Sequence, residues 1–228
     1  VPADDALLDE LSSIDRSFEH TDPHDAAVRA LAWVDARFGS DAVFTCSFED
    51  PVLAHLVSLH APAAQVVVLD TQYLFAETWW YVEAMRRHLG LDVEIVRPDS
   101  AIVPDDRWAA DVEGCCEVRK VEPLRRALDG RHAWITGIRR VDAPTRANAP
   151  TVSWDAARGL VKVNPLARWS DDDVARHITA HDLPVHPLTD RGYASIGCWP
   201  CTRPVAPGED RRAGRWSGHD KTECGLHR

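Results

Sequence analysis

The chain has 228 residues, 45% of them hydrophobic and 27% charged, and a formal net charge of −10. That length holds one large domain or a domain with a tail, and the acidic balance argues against a nucleic-acid surface. No apolar run reaches the roughly 18 residues of a membrane span, so no membrane partner is expected. The start, Val1-Pro-Ala-Asp-Asp, lacks the basic and apolar parts of a secretory signal. Six cysteines are too few for a disulfide-stapled miniprotein, and their spacing points to ligation in a reducing cytoplasm.

Helical periodicity covers residues 4–17 and 25–38, the second presenting Ala27, Leu31, Val34 and Phe38 on one face before Gly39. Residues 42–47 read as a short buried strand running through Phe48, Glu49 and Asp50 into a helix that tolerates Pro51 in its first turn. Gln65-Val-Val-Val-Leu-Asp70 is the clearest strand, a continuous apolar run ending in a carboxylate. A helix over 75–89 is stopped by Gly90, and residues 91–96 form the third strand. Further on come a helix over 117–128, a strand over 132–137, an arginine-rich loop over 137–150, a strand over 160–163 and a helix capped by Ser170. After Asp182 the pattern dissolves into Pro, Gly and His.

This alternation predicts an α/β fold, with a mostly parallel sheet and helices on both faces. Residues 1–195 make the α/β domain, and 196–228 a C-terminal segment. Ligands of such sheets bind beyond the carboxyl ends of the strands, which places Ser47–Asp50 and Asp70–Tyr73 on one rim.

Cys115 and Cys116 are adjacent, and Cys198-Trp-Pro-Cys201 is a second pair. Four thiolates can hold a structural zinc or an iron–sulfur cluster, and the plain alternative is four inert core cysteines. Adjacent residues of an extended strand point to opposite faces and converge poorly on one small ion, so the adjacent pair favours the larger cluster. Cys224 stands outside both pairs. Lys221 and His227 favour its thiolate and Glu223 opposes it, which leaves its reactivity open. Cys46, within an apolar strand, reads as core.

Arginine's fixed fork of donors suits oxyanions. Arg139, Arg140, Arg146, Arg212 and Arg215, with Lys120 and His227, are therefore the candidate anion contacts, each weighed against an ordinary solvated surface role. Asp70 is a pocket residue or simply a strand-end cap.

Here the sequence resembles a known family. Cys115-Cys-Glu-Val-Arg-Lys120, Cys198-Trp-Pro-Cys201-Thr-Arg, Gly208-Glu-Asp-Arg-Arg212-Ala-Gly-Arg215-Trp and Glu223-Cys-Gly-Leu-His227 are together similar to the assimilatory sulfonucleotide reductases. The match is to the adenylyl-sulfate (APS) branch, thioredoxin-dependent and of iron–sulfur type, and covers about residues 45–227.

The resemblance implies an adenine-nucleotide alpha-hydrolase (ATP-pyrophosphatase-like) fold with a C-terminal catalytic tail. It also implies one [4Fe–4S] cluster on Cys115, Cys116, Cys198 and Cys201, and Cys224 as the nucleophile. Reduced thioredoxin is the implied reductant, APS the substrate, and AMP and sulfite the products, in sulfate assimilation toward cysteine biosynthesis. Ser47, Phe48, Asp70, Lys120, Arg139, Arg146, Arg212, Arg215 and His227 are the implied substrate contacts. The family's commoner Gln-Ser is replaced here by Asp142-Ala143, and Ser47-Phe-Glu-Asp50 contains no glycine, which disfavours ATP hydrolysis. The alternatives are the 3′-phosphorylated substrate (PAPS), or a non-redox, zinc-stabilised nucleotide-binding module.

Overall fold

The computed structural model describes residues 3–216, 221, 223 and 225–227. Two helices open it, α1 (Asp5–Glu19) and α2 (Pro23–Phe38). Asp4 caps α1 by accepting the Leu7 N–H at 2.8 Å. α2 starts ahead of the expected residue 25, because Asp22 accepts from the His24 and Asp25 N–H groups and Pro23 fits a first turn that needs no donor.

β1 (Ala42–Thr45), α3 (Val52–His60), β2 (Gln65–Leu69), α4 (Ala76–Leu89) and β3 (Val93–Val96) follow in the expected order. Gly90 ends α4 in the left-handed region at φ +65°. After α5 (Arg107–Ala110), α6 (Val112–Cys116) runs through a π-helical turn, Glu117–Val121, into α7 (Glu122–Leu128). This helix begins before the expected residue 117 because Asp111 accepts the Gly114 N–H at 2.8 Å. Cys115 and Cys116 are therefore helical.

β4 (Ala133–Ile135) is followed by a hairpin of β5 (Val152–Asp155) and β6 (Leu160–Val163), and then by α8 (Asp171–Ala180). Ser170 and Asp173 form a reciprocal capping box at the start of α8. β5 has no counterpart among the expected elements.

The sheet order is β3-β2-β1-β4-β6-β5, parallel except for β5 against β6, so the α/β expectation holds. Strand alternation sorts the core onto two faces. Phe44, Val66, Val68, Ala133 and Ile135 face a cluster that also holds Leu31, Val34, Leu56 and Met85. Val43, Val67 and Trp134 face Leu124 and Leu128 of α7. Each such side chain contributes about 1.5–3 kcal/mol on full burial. From β1 the chain winds outward through β2 and β3, while β4 lies on the other side of β1. The order therefore reverses between β1 and β4, and a crevice opens at such a switch point. Among the described residues no helix is long and apolar enough to cross a membrane.

Candidate active site

A cavity occupies that switch point. The ends of β1 and β4 supply Thr45–Asp50 and Thr136, Gly137 and Arg139, while β2 supplies Val68, Leu69 and Thr71. The Ser47–Asp50 loop manages its turn without glycine by placing Phe48 in the left-handed region at φ +50°. A non-glycine residue there costs about 1–2 kcal/mol. Burial of its ring, 1% exposed and edge-on to Tyr81, offsets this. Ser47 and Phe48 both line the cavity. Asp50 accepts the Val52 N–H at 3.0 Å and so starts α3, and burial pushes its carboxyl up.

Six cationic side chains line the same space: Lys120, Arg139, Arg146, Arg211, Arg212 and Arg215. Among the described residues, three carboxylates line the cavity with them, Glu49, Asp50 and Asp142, so the lining is basic within an acidic protein. Arg139 is 4% exposed and binds Asp142 at 2.8 Å and Asp171 at 2.9 Å. Arg146 grips Glu223 with two bonds of 2.8 and 2.6 Å. Burial opposes ionisation of Glu223, but the Arg146 bonds and the nearby Arg212 outweigh it and hold the carboxyl below its ordinary range. Arg215 donates to Ser195 Oγ at 3.1 Å and lies 4.7 Å over the Trp216 ring. Gly197 leaves room beneath it, because a Cβ there would meet the guanidinium and make it shift.

His227 stacks on Trp134 with centroids 5.2 Å apart. Burial and the cations Lys162, Arg146, Arg158 and Arg212 push its imidazole well below the ordinary value, so it is neutral. Four buried polar atoms on these residues lack a hydrogen-bond partner among the described residues: Arg139 Nη1, Arg215 Nε, Trp216 Nε1 and His227 Nδ1. Buried polar groups are seldom left unpaired. Cationic donors orphaned around one cavity call for an anionic ligand.

Lys120, on the π-helical turn, lines this cavity and also a small void bounded by Tyr73, Trp108 and the four paired cysteines. Two candidates go elsewhere. Asp70 pairs with Arg97 at 3.1 Å and accepts the Gln72 N–H at 2.8 Å, so it serves the strand-end turn and does not line the cavity. Arg140 turns away to Glu19 on α1. Cys224 lies outside the described residues.

The iron–sulfur expectation is corrected here. Among the described residues, the donor atoms that gather as a metal-binding group belong to His55, His177 and His181, all within 4.8 Å of one another. The thiols of Cys115, Cys116, Cys198 and Cys201 form no such group. Consecutive helical residues project about 100° apart, so the helical Cys115 and Cys116 diverge around the axis. Cys198 Sγ lies 3.2 Å from Thr71 Oγ1. Among the described residues these four thiols do not gather as a metal-binding group, against the expected [4Fe–4S] cluster.

Several site features escaped the sequence reading. Arg211 ties Glu49 at 3.0 Å to Asp171 at 2.7 Å. Cys46 lies beyond β1 rather than within it and lines the cavity, its thiol pushed up by burial. The tryptophan under His227, Trp134, carries no local sequence signal, because only the folded chain brings the pair together.

The chain matches the phosphoadenosine phosphosulfate reductase domain family over residues 41–204. It belongs to that family. It is an oxidoreductase acting on a sulfur-containing group, which sets aside the non-redox module. A protein of Rhodococcus opacus named adenosine 5'-phosphosulfate reductase is 45% identical, the match covering 89% of this chain and 88% of that one. One of the same name from Mycolicibacterium smegmatis is 46% identical, with the same coverage. A solved phosphoadenylyl-sulfate (PAPS) reductase from Candida auris, in a phosphate complex, has the same fold. Its TM-score is 0.74 at 24% identity, covering 89% of this chain and 99% of that one.

Proposed function

We propose that this enzyme reduces adenosine 5'-phosphosulfate to sulfite and AMP with electrons from reduced thioredoxin, as a step of sulfate assimilation in the cytoplasm. The observation that carries the reading is the basic cavity at the strand switch point, with buried guanidinium nitrogens of Arg139 and Arg215 that have no hydrogen-bond partner among the described residues. A helix-and-strand crevice suits an adenylate, and the arginine forks of Arg139, Arg146, Arg212 and Arg215 suit its phosphosulfate oxygens. Lys120 adds a point charge, and neutral His227 a hydrogen-bonding edge.

The nucleophile is Cys224, on a catalytic segment 196–228 that follows the α/β body of residues 1–195. Two observations support it. Glu223 pairs with Arg146 and Arg212 of the cavity, and His227 lines the cavity itself. The thiolate attacks the sulfur of the phosphosulfate, the S–O bond to AMP breaks, and AMP leaves with that oxygen. The S-sulfocysteine that remains is attacked at its Cys224 sulfur by a thioredoxin thiolate, and sulfite leaves with the S–S electron pair. The second thioredoxin thiol closes the thioredoxin disulfide and regenerates Cys224, so that the dithiol as a whole supplies the two electrons.

Sulfite release from APS with reduced thioredoxin tests this, and the Cys224→Ser chain should lose at least about a thousandfold in rate if covalent catalysis carries the reaction. Undiminished release by that variant would overturn the role of Cys224. A kcat/KM for PAPS above that for APS would overturn the substrate.

A further inference from the structure

We propose that His55, His177 and His181, which do not line the basic cavity, bind a divalent transition-metal ion of the zinc class between α3 and α8. His177 lies on α8 and His181, four residues on, is the residue that caps its C-terminus, a spacing that brings the two side chains to one side of the helix end. His55 comes from α3. His55 Nδ1 and His177 Nε2 are 3.0 Å apart. The His181 ring centroid lies 4.7 Å from that of His55 and 4.4 Å from that of His177. A tetrahedral ion with bonds of 2.0–2.1 Å spaces its nitrogen ligands about 3.3 Å apart, so the three imidazoles need only small rotations to share one ion.

The donor chemistry selects the class. Three imidazoles with no carboxylate or thiolate in the set suit zinc, cobalt, nickel or copper over magnesium or calcium. His177 is buried and His181 exposed, so the ion has an inner anchor and an entry path, and water can fill the fourth position. The ion would staple α3 to α8. The first helix follows directly from Asp50, and the second begins at Asp171, which binds Arg139 and Arg211.

The test is titration of the full chain with Co²⁺. One equivalent should bind with the visible bands of tetrahedral nitrogen and oxygen ligation and without thiolate-to-cobalt charge transfer, and Zn²⁺ should displace it. His181→Ala, at an exposed position, should weaken binding by about 100-fold or more, since even losses outside the ligand shell cost 10–100-fold. His55→Ala should do the same, while the exposed control His88→Ala should not. No binding, charge-transfer bands from thiolates, or equal affinity in His181→Ala and the parent chain would each overturn the site.

Discussion

The sheet body and the stretch after α8 are held by different forces. Between β1 and β6 the contacts are apolar and complete: Val43, Phe44, Ala133, Trp134 and Ile135 are all at most 1% exposed. After α8 the chain is irregular, and beside buried Leu183, Leu188, Ile196 and Trp216 it docks through polar groups. His186 meets Thr78 at 3.0 Å, Ser195 meets Glu49 at 3.2 Å, Lys221 meets Glu113 at 2.6 Å, and Glu223 meets Arg146. Non-directional burial gives the body its shape without a ligand. The C-terminal stretch adds ion pairs around the cavity to its burial, and such pairs are more sensitive to salt and pH.

The largest separation of the two regions should come from Leu31→Ala. Leu31 is fully buried in the larger core and touches no part of the cavity. The change should lower unfolding free energy by about 2–5 kcal/mol, read as a fall in the urea midpoint, with AMP affinity of the folded protein intact. The reverse pattern is expected for Arg212→Ala and Arg215→Ala. Each should weaken AMP by about 10–100-fold, the equivalent of the 1.5–3 kcal/mol in a hydrogen bond to a charged group. Stability should move by less than about 1 kcal/mol, and calorimetric titration beside melting curves checks both. Smaller again is Gly197→Ala, which displaces the Arg215 guanidinium without removing it and should raise the APS KM by about tenfold or less on the same scale. Equal losses of stability in the arginine and leucine variants would erase the distinction between the regions.

The two regions were also unequally legible in the sequence. Strands β1 to β3 announce themselves as apolar runs that end in polar residues, so the parallel sheet and its ligand-binding rim follow from the pattern alone. β5 does not, because Val152-Ser-Trp-Asp155 becomes a strand only by pairing with β6 around Gly159, at φ +67°. Arg139 and Arg140 are neighbours that part company in space, one toward Asp142 and the cavity and the other to Glu19. No local rule separates them, since the difference depends on where α1 and α8 dock. The cysteine pairing misled for a related reason. Spacing shows which thiols are near in sequence, but the helix begun by Asp111 sets the directions in which Cys115 and Cys116 project.

The smallest predicted effect concerns pH and tests whether buried polar docking holds the C-terminal stretch. The Leu188 N–H donates to His186 Nδ1 at 3.1 Å, so the ring proton sits on Nε2 and points to Thr78 Oγ1. A second proton on Nδ1 would face that N–H. Burial, only partly opposed by Glu77, pushes His186 down to about 4, and burial with neighbouring imidazoles does the same to His177. The unfolded chain, with histidine near 6.5, then binds more protons than the folded one between those values. Stability is complete above about 6.5 and is lost as pH falls toward 4. Urea midpoints should decline across that window, and His186→Gln should decline less steeply because one of the shifted imidazoles is gone. Equal slopes for the two chains would mean that His186 is protonated without disturbing the contact with α4, and that the C-terminal stretch is held there by something other than this buried pair.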